Sequence, residues 1–80
     1  MSKHVIVTAK EMTFRVAAME MQLARLLTTF RQPAKFRTAL LLLAERVLDG
    51  SNDEVRLQGM AEINAMLQSY ALLPILWHTQ

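Results

Sequence analysis

The chain contains no cysteine, so it can form neither a disulfide framework nor a thiolate metal site. It has only two glycines, Gly50 and Gly59, and their separation excludes a glycine-rich loop of the kind that cradles phosphate groups. The two histidines, His4 and His78, lie near opposite ends of the chain, far from the spacing of a helical metal-binding pair. The sequence therefore predicts no metal site and no cofactor.

Long apolar runs are also missing. The longest, residues 39–44, is far shorter than the roughly 20 residues that a membrane-spanning helix needs. The apolar stretch before Lys10 is too short for the core of a signal peptide. We therefore expect no membrane span and a cytoplasmic protein, which agrees with the lack of cysteine.

A catalytic constellation is equally hard to find. The three serines lack the context of a nucleophile elbow, and Ser51 falls at a predicted helix start. The acidic residues Glu11, Asp53 and Glu54 fall in predicted first turns of helices, where they stabilise the helix end. The sequence predicts no catalytic residue, and we expect a protein that is not an enzyme.

The chain is instead rich in apolar side chains. Of its 80 residues 52% are hydrophobic and only 20% are charged, a composition that favours folding over disorder. We expect residues 1–80 to form one small domain. A core of this size is marginal, so it needs tight helix packing or a partner chain. The apolar surplus favours self-association or the binding of another protein.

The charge is unevenly distributed. Residues 1–46 hold eight basic residues against three glutamates, and residues 47–80 hold one arginine against four acidic residues, giving +5 and −3. Two explanations stay open. The opposite charges face each other within the fold, or they steer one end of the molecule towards a partner or a second copy.

Apolar spacing and capping patterns predict three helices, at about residues 9–31, 34–48 and 52–73. The first begins after the capping-box sequence Thr8-Ala9-Lys10-Glu11, with Val7 and Met12 placed as a hydrophobic staple. Its main apolar seam repeats at heptad spacing and comprises Met12, Val16, Met19, Leu23, Leu26 and Phe30. A second stripe, which we expect to widen the buried face, comprises Phe14, Ala17, Ala18, Met21 and Ala24.

The second and third helices are delimited by proline and glycine. Pro33 precedes the second helix, and Gly50 suits the left-handed residue beyond its end. The box Ser51-Asn52-Asp53-Glu54 predicts that the third helix begins at once, and Pro74 stops it. Residues 39–44 are apolar in every direction, so we expect the second helix to be central and covered on most sides.

These elements predict an all-α, small three-helix bundle with short apolar tails, completed by dimerisation. At 1.5 Å per residue the helices would be roughly 35, 22 and 33 Å long, so the short second helix leaves the others overhanging. The overhangs and the C-terminal tail give the predicted partner-binding residues, which are Met12, Phe14, Val16, Met66, Tyr70, Leu73, Leu76 and Trp77. The tail with Trp77 serves either as a lid on its own bundle or as an anchor in a partner.

A basic patch lies at the turn between the first two helices. Arg31, Lys35 and Arg37 could contact phosphate groups, although no helix-turn-helix pattern accompanies them. The sequence therefore predicts a small non-catalytic protein–protein interaction module, such as an adaptor, chaperone or inhibitor, that forms a homodimer and binds a further protein. The alternative is a nucleic-acid-associated regulator of transcription or replication that uses the basic turn.

Overall fold

A computed structural model of the chain describes residues 7–77. These residues form an all-α three-helix bundle, as predicted, with α1 at Ala9–Thr29, α2 at Pro33–Leu48 and α3 at Asp53–Ser69. None of the three helices has both the length and the apolar character that crossing a bilayer requires. His4 and His78 lie outside the described residues.

The helices run up, down and up. The α1–α3 pair is parallel, because Gln58 bonds the Ala9 carbonyl and Tyr70, further along α3, bonds Glu20. In contrast, α2 is antiparallel to both. The Arg15 guanidinium near the start of α1 donates to the carbonyl oxygens of Val47 and Asp49 at 3.1 and 2.8 Å. A cation at the carbonyl end of a helix stabilises that helix, so this contact stabilises the packing of α2 against α1.

The start of α1 agrees with its sequence pattern. The Thr8 hydroxyl oxygen accepts from the Glu11 N–H at 3.1 Å, and Val7 and Met12 of the staple are both fully buried. At α3 the predicted cap is wrong by one residue. Asn52, not Ser51, is the N-cap, with its side-chain oxygen accepting from the Val55 N–H at 2.8 Å. The Ser51 hydroxyl donates instead to the Leu48 carbonyl.

The core includes the main seam of α1 and the inner faces of α2 and α3. Its buried residues are Val7, Met12, Val16, Met19, Leu23, Phe36, Leu40, Ala44, Val47, Leu48, Ile63, Met66, Leu67 and Ile75. The expectation of a central second helix is wrong. Packing is most extensive between α1 and each of the other two helices, and Leu41 and Leu42 of α2 remain exposed. The leucine run of α2 therefore covers exposed faces of the helix, at Leu41 and Leu42, as well as its buried face at Leu40.

The end of α3 also differs from the prediction, since the helix stops at Ser69 rather than near residue 73. Tyr70 is the C-cap, and Ala71 adopts a left-handed conformation with a φ of 59°. The Leu72 N–H bonds the Leu67 carbonyl and the Ala71 N–H bonds the Gln68 carbonyl, which is the Schellman pattern. Because alanine occupies the position where glycine is usual, no residue in the sequence marks the end of this helix.

Replacing Ala71 by glycine should raise the free energy of unfolding by about 0.5–1 kcal/mol, because glycine has no Cβ to oppose a positive φ. The same change at Ala61, an exposed position inside α3, should lower it by about 0.5–1 kcal/mol. Urea unfolding followed by circular dichroism measures both. A loss of stability at position 71 would contradict the left-handed assignment.

Candidate protein-interaction surfaces

The structure divides the predicted partner-binding residues into two groups. Met12, Val16 and Met66 are buried in the chain's own core, so their expected exposure is wrong. For Met12 the cause is Gly59 of α3, since a Cβ built there would lie 2.6 Å from the Met12 sulfur. Gly59 lets α3 cover the first turns of α1, and no overhang remains there.

The other predicted partner-binding residues retain solvent exposure. Phe14, Tyr70, Leu73 and Leu76 are exposed, and Trp77 is half-buried. The Tyr70 hydroxyl donates to Glu20 at 2.7 Å. This hydrogen bond, aided by the nearby carboxylate charge, raises the pKa of Tyr70 above its ordinary value. The Tyr70 hydroxyl thereby links the end of α3 to α1.

The C-terminal tail, residues 72–77, folds back onto the bundle. The Asn64 side chain accepts from the Ile75 N–H at 2.9 Å and donates to the Ile75 carbonyl at 3.1 Å. Arg37 of α2 donates to the carbonyls of Leu73 and Pro74 at 3.0 and 3.1 Å. We call these two sets of hydrogen bonds the tail clamps. Ile75 is buried, and the tail closes one end of the gap between α2 and α3.

Asn64→Ala should release the tail, because it removes both hydrogen bonds to the partly buried backbone of Ile75. We expect the free energy of unfolding to fall by about 1–2 kcal/mol. Trp77 is the only tryptophan, so its emission should shift to the red as the tail becomes hydrated. Gln68→Ala, one turn along α3 at an exposed position, is the control and should change neither quantity. An unshifted spectrum for Asn64→Ala would show that the tail stays in place without the clamp.

A groove lies between α2, α3 and the tail. This α2–α3 groove has a volume of about 690 Å³ and is lined by Arg37, Leu41, Glu45, Asp53, Arg56, Leu57, Met60, Ile75, Leu76 and Trp77. Leu57 and Leu76 on its border are 62% and 81% exposed. Within residues 7–77 the Trp77 indole N–H has no acceptor, although its nitrogen is shielded from solvent. The groove thus has exposed apolar side chains along its border.

The basic patch predicted at the turn between α1 and α2 is only partly exposed. Arg31 and Lys35 are exposed, but the half-buried Arg37 side chain is engaged with the tail carbonyls. Within residues 7–77 one ion pair joins the two sequence halves, and it pairs Glu45 of the basic half with Arg56 of the acidic half. In the described part of the chain the ion pairs are Arg15–Glu11 at 3.8 Å and Arg56–Glu45 at 3.4 Å. Most of the basic half therefore faces solvent or backbone carbonyls.

The second apolar stripe of α1 is the surface that sequence reasoning misplaced. It was expected to be buried, yet Phe14 and Met21 are 66% and 82% exposed, and the three alanines beside them are exposed too. The reason is that α2 and α3 both pack on the main seam, which lies on the opposite side of the helix. The spacing of Phe14, Ala17, Met21 and Ala24 is itself heptad spacing, a signal that a second packing face exists.

Within residues 7–77, no group of three or more acidic side chains lies close enough to hold a metal ion. Comparison of the chain with protein families, with curated proteins and with solved structures finds no match. Function is therefore inferred from the chain's own surfaces.

Proposed function

We propose that this chain is a non-catalytic, cytoplasmic protein–protein interaction module, of the adaptor, chaperone or inhibitor kind, that acts as a homodimer. The observation that supports the proposal is the α2–α3 groove, where Leu41, Leu57 and Leu76 are exposed beside one another. Burying one such leucine gains roughly 1.5–3 kcal/mol. A cluster of exposed leucines around a groove is typical of an interface.

The charges around the groove favour a second copy of the chain as its occupant. Arg37 and Glu45 lie four residues before and after Leu41 on α2. An antiparallel pairing of two α2 helices centred on Leu41 places Arg37 of each copy opposite Glu45 of the other. Such exposed ion pairs contribute about 0–1 kcal/mol each, so they set the register while the leucines supply the affinity.

This contact is isologous and closes on itself. Each copy presents the same surface, and the two α2 and two α3 helices form a four-helix layer across the two-fold axis. Arg37 uses two guanidinium N–H groups on the tail carbonyls, and its other donors remain for the carboxylate of the second copy. The tail residue Leu76 adds its apolar side chain to the same surface.

Sedimentation equilibrium on the purified full chain tests the proposal. We expect a dimer at roughly 10–100 µM, weakened about tenfold or more by Leu57→Lys, since a charge would be buried in the contact. Leu42→Lys on the far side of α2 should leave the dimer unchanged. Thermal melts check that both variants fold. A monomer at roughly 100 µM, or equal weakening by both variants, would refute the groove as a self-association surface.

The nucleic-acid alternative is measured separately. The probe is a mixed-sequence DNA duplex, titrated at low and at high salt with the wild type and with Arg31→Glu/Lys35→Glu. Binding that falls steeply with salt and is lost in this variant would replace the proposed function by the regulator hypothesis. The interaction-module proposal expects weak binding or none in both proteins.

A further inference from the structure

The surface not used by the proposed dimer is the second stripe of α1, which we call the α1 stripe. It comprises Phe14, Ala17, Ala18, Met21 and Ala24, all exposed. It lies opposite the main seam, on the side of α1 that faces away from α2 and α3. The large side chains Phe14 and Met21 are seven residues apart, two helical turns, with alanines between them. Small residues in this position allow another helix to approach closely.

Basic side chains stand at both ends of the α1 stripe. Lys10 precedes Phe14 by four residues and Arg25 follows Met21 by four, which places all of them on one face of the helix. Lys10 and Arg25 are both exposed and separated by about 22 Å along the axis. The ion pairs of residues 7–77 involve neither of them. The two acids of α1 lie on its flanks, where Glu11 contacts Arg15 and Glu20 accepts from Tyr70.

This charge pattern disfavours a second copy as the occupant. An antiparallel pairing that places Phe14 of one copy opposite Met21 of the other also places Lys10 opposite Arg25. A parallel pairing sets each basic residue against its own equivalent. Both arrangements bring like charges together, which disfavours self-pairing.

We infer that the α1 stripe binds an acidic amphipathic helix of a partner protein. The complementary helix carries two large apolar residues seven positions apart and an Asp or Glu four positions beyond each of them. Its apolar side chains pack on Phe14 and Met21, and its acids face Lys10 and Arg25. This inference rests on the proposed function and names the class of partner, and it uses a surface separate from the dimer contact.

The test uses two synthetic helical peptides of about five turns, a length that spans Lys10 to Arg25. The acidic peptide has leucines seven positions apart and a glutamate four positions beyond each, and the basic peptide has lysines instead. Fluorescence anisotropy of the labelled peptides is measured with the full chain at low and at high salt. The acidic peptide should bind at least about tenfold more tightly than the basic one, and Met21→Lys should weaken it about tenfold or more.

Charge reversal provides the decisive comparison. Lys10→Glu/Arg25→Glu should prefer the basic peptide, whereas Arg31→Glu/Lys35→Glu, with the same change in net charge, should keep the acidic preference. Circular dichroism checks that each variant is folded. Equal binding of both peptides, no binding of either, or an equal effect of the two double variants would overturn the inference. A dimer that persists in sedimentation while the peptides fail to bind would refute the α1 stripe alone and leave the proposed function standing.

Discussion

Leu40→Ala is expected to lower the free energy of unfolding by about 2–5 kcal/mol, the usual range for truncating a buried leucine. Leu40 is 0% exposed and lies among core residues contributed by all three helices. Since α1 packs on both neighbours, a cavity at this position removes contacts that α2 makes with the rest of the bundle. The net stability of a domain this small is modest, so Leu40→Ala should melt at a much lower temperature.

The matched control is Leu42→Ala, two residues further along the same helix. Leu42 is 63% exposed, so its truncation should change the unfolding free energy by about 0.5 kcal/mol or less. Urea titrations of both variants at the same protein concentration give the two values. If Leu42→Ala destabilises as strongly as Leu40→Ala, then α2 is covered on its outer side and the exposed face described above does not exist in solution.

Gly59→Val is expected to destabilise by about 2–3 kcal/mol, because the new side chain has no room. A Cβ at this position would lie 2.6 Å from both the Leu48 Cδ2 and the Met12 sulfur, and both of those residues are buried. The gain in helix propensity over glycine is well under 1 kcal/mol and cannot compensate. Ala61→Val in the same helix, at an exposed position, should cost about 0.5 kcal/mol.

A double substitution tests whether Met12 is one source of the clash. Combining Gly59→Val with Met12→Ala should cost less than the sum of the two single losses, by about 1 kcal/mol or more, because the valine occupies the space that Met12 leaves. Thermal unfolding by calorimetry on the four proteins of this cycle measures the coupling. Strict additivity would indicate that the two positions do not touch.

Sequence periodicity predicted the helices well because each helix has a face that must be buried. The main seam of α1 occupies the core as expected, from Met12 to Leu23, and the cap at Thr8 forms as expected. Periodicity could not decide which of two apolar faces is inward. In α1 both stripes have heptad spacing, and in α2 leucines occur on every side, so only the positions of the neighbouring helices settle the matter.

Sequence spacing could predict only part of the partner-binding surface, because contacts between residues far apart in the chain leave no local pattern. Phe14 was assigned both to an exposed overhang and to a widened buried face, and the structure exposes it. The supposed overhang does not exist, since Gly59 admits α3 against Met12. The clamps on the tail depend on Asn64 and Arg37 reaching backbone carbonyls and an N–H far along the chain. Contacts of this kind leave no local pattern in the sequence. The end of α3, where Ala71 takes the left-handed conformation, leaves none either.

The α2–α3 groove and the α1 stripe face opposite directions, since no α1 residue lines the groove and the stripe points away from α2 and α3. A dimer joined through the groove therefore presents its two α1 stripes on its two outer sides. The proposed dimer would therefore have two equivalent binding surfaces. A target with two suitably spaced acidic helices, or two targets on one assembly, would be held with an avidity about 100- to 10,000-fold above that of a single stripe. In the proposed dimer the groove contact would set the distance between the two α1 stripes, and with it the spacing of the targets that both stripes can bind at once.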